Sequence, residues 1–182
     1  PTSALLRSAA DVVLLVLDHR ALPRGGGPSA PHPGVQDVLA LIDQARAVLE
    51  GRTLVLTTLP APPTRLFGSL DRALPGTTAS AVAAINAGIL ERAAAWGAPL
   101  LDLGSLAAEA GTARWHDAAH YHLHKLPFAP QLGPWVGDHV GRLLGALRGT
   151  ARKCLVLDLD NTCWGGVIGD DGLDGIEIGP GT

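Results

Sequence analysis

Four short apolar runs, the first three each followed at a distance by helical spacing, limit what this chain can fold into. They are Asp11–Leu17, Arg52–Thr58, Pro99–Leu103 and Lys153–Leu159. None alternates cleanly between apolar and polar, so each reads as a strand buried on both faces. Between them, Val35, Val38, Leu39, Ile42, Ala45 and Leu49 recur at helical intervals before a stop at Gly51. Further helices are predicted from about Thr78 to Trp96, at Ser105–Ala110, and from about Ala129 to Leu147. Pro23–Gly34 and Pro60-Ala61-Pro62-Pro63 can only be loops. Strands alternating with helices imply βαβ units and a parallel sheet, that is, an α/β three-layer fold. A fresh strand after a long amphipathic helix opens a second sheet. The boundary therefore falls near residue 150, within the linker Arg148–Arg152, giving domains over 1–149 and 150–182.

Composition excludes several classes. With 47% apolar and 17% charged residues among 182, the chain is globular rather than disordered. Its 14 basic and 17 acidic side chains, net −3, give no footprint for nucleic acid or an anionic membrane. Cys154 and Cys163 are too few for a disulfide scaffold or a zinc site, which points to a reducing cytoplasmic setting. The run Val12–Leu17 falls far short of the ~20 residues a membrane-spanning helix needs. No signal peptide is visible, and the chain opens on Pro1 without Met, so both ends read as cut.

The fourth run carries the most chemistry. Leu155-Val156-Leu157 leads into Asp158 and Asp160, and alternate residues of a strand share a face. Ligands of open α/β sheets bind at the carboxyl ends of strands. Two carboxylates there suit a hard divalent cation and phosphoryl chemistry, one attacking phosphorus and the other moving a proton. The bland alternative is that both carboxylates merely cap a turn. Cys163 adds a candidate thiol nucleophile, whereas Cys154, inside the apolar run, reads as core. Gly165, Gly166, Gly169 and Gly172 suit a tight flap over the site, with Asp170 and Asp171 as turn residues.

Asp158-Leu159-Asp160-Asn161-Thr162 resembles the first motif of the haloacid dehalogenase (HAD) superfamily, Asp-x-Asp-x-Thr after an apolar strand. The continuation Trp164-Gly165-Gly166-Val167-Ile168-Gly169-Asp170-Asp171-Gly172-Leu173, with the terminal Gly-Pro-Gly-Thr, resembles its FkbH-like branch. The resemblance implies a Mg²⁺-dependent enzyme of polyketide extender-unit (methoxymalonyl-type) biosynthesis. Such an enzyme takes 1,3-bisphosphoglycerate and loads a dephosphorylated glyceryl unit onto an acyl carrier protein. By position, Asp158 is implied as nucleophile and Mg²⁺ ligand, and Asp160 as acid/base and backbone-carbonyl ligand. Asn161, Thr162, Gly165 and Gly166 would support the loop, and Cys163 would hold the glyceryl thioester. Many relatives have an aliphatic residue at that place, so Cys163 separates a transferase from a plain HAD phosphatase. The phosphate-holding Ser/Thr, the Lys and the further acidic pair of the family are not assignable in this chain, which by itself is expected to be inactive.

A second resemblance concerns 1–149. Asp117-Ala118-Ala119-His120 before a long helix is similar to the Asp-x-x-His block of SGNH hydrolases, and the strand–loop Thr53–Pro60 and the helix carrying Asn86 fit the same fold. There Asp117 would orient His120 toward a serine. The Gly-Asp-Ser block is absent, because Ser3 and Ser8 precede the first strand in no such context. A non-catalytic scaffold or carrier-protein docking module is thus favoured over an esterase. The stretch His116–His124 also invites a metal reading, but no second ligand cluster completes it, and an exposed turn is expected. Asp18, His19 and Arg20 end the first strand and read as hydrogen-bonding into its loop. The whole is expected to be an SGNH/flavodoxin-like three-layer domain followed by the first strand and flap of a HAD Rossmann-like domain.

Overall fold

The computed structural model describes residues 4–23, 25, 27–150 and 154–179. It divides into two compact units, 1–143 and 144–182. In chain order the elements are α1 (Ala4–Arg7), β1 (Val12–Leu15), α2 (Gly34–Val48), β2 (Thr53–Thr57) and α3 (Thr78–Trp96). There follow β3 (Leu100–Leu101), α4 (Leu103–Ala110), α5 (Thr112–Trp115), α6 (Ala118–His124), α7 (Gly133–Leu147) and α8 (Ile168–Asp171).

In the first unit the strands form a parallel sheet of order β1-β2-β3. Val13 lies beside Leu54 and Leu15 beside Leu56, while Leu56 also neighbours Leu100. Alternation along the strands sorts side chains into two layers. Val13, Leu54 and Leu56 meet Ile42 of α2 and Ile85 and Ile89 of α3. Val55 and Leu101 meet Leu103, Leu106, Trp115, Leu132 and Val136 on the opposite face. A sheet that advances in one direction with connections of one hand puts both crossover helices on the same side, which is where α2 and α3 pack together. The three-layer α/β expectation therefore holds in coarse form.

Local chemistry sets the boundaries. Thr77 caps α3 by accepting from the Ser80 N–H at 3.2 Å, and Gly97 closes it in the left-handed region at φ 60°. The third strand is shorter than the predicted Pro99–Leu103. Pro99 has no N–H for the ladder, and Asp102 already caps α4, accepting from Ser105 N–H at 3.1 Å.

Three expectations are corrected. The stretch 116–124 is mostly helical rather than an exposed turn, because Asp117 caps α6 and Lys125 ends it at φ 57°. No strand forms over the described residues 154–159. Leu155, Val156, Leu157 and Leu159 are exposed, and so is Cys154, which is not core. A strand exists by pairing its N–H and C=O groups with neighbours, and among the described residues no edge pairs with this segment. Lys153, at the start of that predicted strand, lies outside the described residues, as do Ser3 and Pro180-Gly181-Thr182. Among the described residues no helix is long and apolar enough to cross a membrane.

Candidate functional site

The motif residues of the second unit are held by a tight turn. Thr162 N–H and Cys163 N–H both donate to the Leu159 carbonyl, at 3.2 and 2.9 Å. Asn161 sits in the left-handed region at φ 55°, which asparagine tolerates better than most residues. It is clamped to Gly166 in both directions: its N–H donates to the Gly166 carbonyl at 3.3 Å, and its Oδ1 accepts from Gly166 N–H at 3.0 Å. Gly166 has φ 96°, and a Cβ there would stand 3.1 Å from Asp171 Oδ2. Gly165 and Glu177 exchange two backbone hydrogen bonds of 2.9 Å, closing the neck of the flap that contains α8. At its tip Asp171 Oδ2 accepts from Val167 N–H at 2.7 Å.

This turn gives the two carboxylates different surroundings. Asp158 is exposed; Thr162 Oγ1 donates to its Oδ2 at 3.4 Å, and Cys163 Sγ donates to its backbone carbonyl at 3.5 Å. Asp160 points into the flap, where its Oδ1 accepts from Trp164 Nε1 at 3.1 Å and Ile168 N–H at 3.2 Å. Asp158, Thr162 and Cys163 are thus brought together, while Asp160 is engaged by Trp164. The Asp160–Trp164 contact went unread in the sequence, although an acceptor and an indole four residues apart across a turn was the available signal. Among the described residues no group of three or more His, Cys, Asp or Glu is placed to hold a metal, in this turn or in 116–124.

In the first unit, Asp117 accepts from the His120 N–H through Oδ1 at 2.9 Å, and its Oδ2 lies 2.9 Å from His120 Nδ1 without hydrogen-bond alignment. The helix-capping bond to His120 N–H, with its side chain next, holds the Asp117 carboxyl below its ordinary range. The pair is explained by the cap of α6; no serine hydroxyl hydrogen-bonds His116 or His120 among the described residues. His19, at the exit of β1, is buried, and its ring meets His116 edge to face at 5.1 Å. Burial pushes the His19 imidazole down to about 4, against the opposing pull of Asp18, and burial lowers His116 as well. Both rings keep a buried Nδ1 without a hydrogen-bond partner. Burial acts to raise the Asp18 carboxyl, but Arg20's hydrogen bonds and charge outweigh it and bring it down. Arg20 grips that carboxylate with contacts of 2.9 and 2.5 Å, reaches the carbonyls of Leu126 and Pro127, and lies over the Tyr121 ring at 3.7 Å. Asp18 takes the Arg20 N–H within the loop after β1, as expected, and Arg20 in addition fastens that end to the segment after α6, a contact the sequence reading did not contain.

No family model and no curated protein sequence matches the chain. Among solved structures it is similar to the N-terminal part of the protein BF1531 from Bacteroides fragilis, described as containing a phosphatase domain and complexed with Mg. The TM-score is 0.74 at 21% identity, over 100% of this chain and 49% of that one. The chain thus spans about half the length of that structure, and at such identity the likeness is one of fold. It places the mixed α/β architecture, with its small parallel sheet and many helices, beside that of a known protein.

Proposed function

We propose that this chain carries the first catalytic segment of a Mg²⁺-dependent HAD-type enzyme acting on a phosphorylated three-carbon acid. The observation that carries the reading is the single turn that sets an exposed carboxylate, Asp158, beside the Thr162 hydroxyl and the Cys163 thiol. The likeness to a Mg-complexed protein with a phosphatase domain supports it. The donor set fits Mg²⁺ in kind: Asp158 is a hard oxygen ligand with one long protein contact, and Asp160 brings a second carboxylate and a backbone carbonyl two residues on. Bound there, the cation would offset the negative charge of the phosphate.

In this reading the Asp158 carboxylate attacks phosphorus of a phosphate ester, taking the phosphoryl group as the carbon-bound oxygen leaves. Asp160, oriented by Trp164 Nε1 and Ile168 N–H, supplies the proton to that oxygen. Thr162 steadies Asp158. Cys163 favours the finer reading, glyceryl transfer. Its thiolate attacks the acyl carbon of 1,3-bisphosphoglycerate, the carbon–oxygen bond to phosphate breaks, and inorganic phosphate departs. The thioester then passes to the thiol of an acyl carrier protein in the cytoplasm, for polyketide extender units. Asn161, Gly165 and Gly166 keep the turn and the flap neck in register.

The test is intact-protein mass spectrometry of the protein at its natural full length, incubated with Mg²⁺ and 1,3-bisphosphoglycerate. A glyceryl adduct mapped to Cys163, lost in Cys163→Ala and transferred to carrier protein, is expected. Phosphate release that requires Asp158 but leaves no adduct would reduce the function to a HAD phosphatase. Activity that is indifferent to Asp158 would overturn both readings.

A further inference from the structure

We infer that the cavity at the carboxyl ends of β2 and β3 binds a small organic phosphate monoester with an aliphatic body. This inference goes beyond the phosphoryl reading and rests on the first unit alone. The cavity measures about 570 Å³, within the range of small-molecule sites. Its bed is apolar: Leu59 and Val82 are buried, and Ala83 and Leu90 lie exposed on the same face of α3.

Most polar groups of its wall, all but the exposed Ser69 and two arginines, are already engaged. Thr58 Oγ1 donates to Asp102 Oδ1 at 2.5 Å and accepts from Gly104 N–H at 2.9 Å. Asp102 also accepts from both the N–H and the hydroxyl of Ser105, and these bonds with Thr58's outweigh burial and lower its carboxyl. Asn86 Oδ1 accepts from Leu59 N–H at 2.7 Å, and its Nδ2 donates to the Leu59 carbonyl at 2.9 Å. Asp71 is buried, and its two oxygens accept from the Leu66 and Phe67 N–H groups at 3.0 and 2.6 Å.

What remains, beside the exposed Ser69 hydroxyl, is cationic. Arg65 and Arg72 stand on the loop that edges the cavity, exposed, with no ion pair, side-chain hydrogen bond or ring contact among the described residues. Arg20, Arg92 and Arg142, by contrast, each hold a carboxylate. Two unspent guanidinium groups beside an apolar bed select a ligand with an anionic head and a hydrocarbon body. A pair of such forks matches the several oxygens of a phosphate better than the two of a carboxylate. The loop is anchored rather than loose. Asp71 ties down its turn, and the Thr77 hydroxyl donates to the Asp71 carbonyl as Thr77 caps α3.

The probe is hexyl phosphate, titrated into the 182-residue chain at low ionic strength by calorimetry and by amide chemical-shift mapping. Saturable binding is expected, with shifts centred on 58–59 and 79–90. Affinity should fall about tenfold or more in the double variant R65A/R72A, and similarly for hexanol or inorganic phosphate in place of the probe. Ala83→Phe, which fills the bed while sparing both arginines, should also weaken binding. Equal affinity in R65A/R72A with an unchanged amide spectrum would overturn the inference. So would shifts elsewhere, or no saturation by about 10 mM. Hexanoate binding as tightly as hexyl phosphate would overturn the assignment of a phosphate head. None of these outcomes depends on Asp158 or Cys163, so the two readings fail separately.

Discussion

Replacing Asn86 by Ala tests how the sheet end is held to α3. The side chain spans two backbone groups of one buried residue, accepting from Leu59 N–H at 2.7 Å and donating to the Leu59 carbonyl at 2.9 Å. Leu59 itself is 1% exposed. A made hydrogen bond contributes only about 1 kcal/mol net, but a buried group left without a partner costs about 1–3 kcal/mol. Two stranded groups would then cost about 2–6 kcal/mol. The cavity that Asn86 helps to line opens beside them, so water can reach part of the vacated space and lower the cost toward about 2–4 kcal/mol. The assay is urea unfolding followed by near-ultraviolet circular dichroism, with the shift in midpoint multiplied by an unchanged m-value giving the loss. A loss below about 1 kcal/mol would refute the reasoning, because it would mean that Leu59 is satisfied without Asn86. Asn86→Asp sharpens the test: it keeps the acceptor and the shape but turns the donor into an acceptor facing the Leu59 carbonyl. That variant should be at least as damaging above the carboxyl's titration range.

Acid should destabilise the first unit in two steps. His19 is held neutral, its pKa brought from 6.5 to about 4, so between those values the unfolded chain binds a proton that the folded one refuses. Stability therefore falls as pH drops through that window, and His19→Gln should show a smaller fall in urea midpoint between about pH 7 and about pH 5 than wild type. Asp18 adds a second fall of the same sign at lower pH, because burial's upward push on its carboxyl is outweighed chiefly by Arg20, which holds the folded group below its unfolded value. Its contribution is kept above the unfolded value of 3.8 and lost only at lower pH. An equal fall in H19Q would refute the assignment to His19. In the second unit, Trp164→Phe removes one of the two donors on Asp160 and leaves Ile168 N–H. On the proposed phosphoryl chemistry it should, in the protein at its natural full length, lower kcat about tenfold at unchanged KM, against roughly a thousandfold for Asp158→Asn. A KM effect alone would make Trp164 a substrate contact instead of a positioning residue.

The first unit was legible because its signals are local. The span of α3 could be read to the residue because Thr77 and Gly97 mark its ends chemically as well as by periodicity. The continuous apolar runs placed β1 and β2, and their parallel direction followed from the helices between them. The same reasoning failed where two signals compete. Pro99–Leu103 reads as strand by composition, yet Asp102 spends its side chain on the first turn of α4 and cuts the strand to two residues. In 116–124 an exposed turn is expected, whereas the cap at Asp117 and the alanines behind it settle a short helix. His19 and His116 were not read as a buried pair, since contacts across ninety-seven residues leave no mark in a single sequence.

The carboxylate motif shows the same division inside one unit. Its turn closes through bonds that span only a few residues: Leu159 to Thr162 and Cys163, Asn161 to Gly166, Asp160 to Trp164. Those spacings are written in the sequence, so the pattern Asp-x-Asp-Asn-Thr-Cys-Trp-Gly-Gly already contains its own geometry. The lead-in is different in kind. Residues 154–159 have the composition of a central strand, but composition cannot supply the neighbouring strands that a central strand needs on both edges. Without them Leu155 and Val156 stand exposed. A strand would throw Asp158 and Asp160 to one face by its period of two. In its absence their directions are set instead by the turn, which leaves Asp158 outward and draws Asp160 into the flap. Convergence of the two carboxylates on one cation is therefore a property to be gained from pairing of 154–159, and order in the Thr162–Cys163 turn is not. Mg²⁺ affinity should depend on whatever covers that apolar segment, while the environment of Cys163 should already be in place.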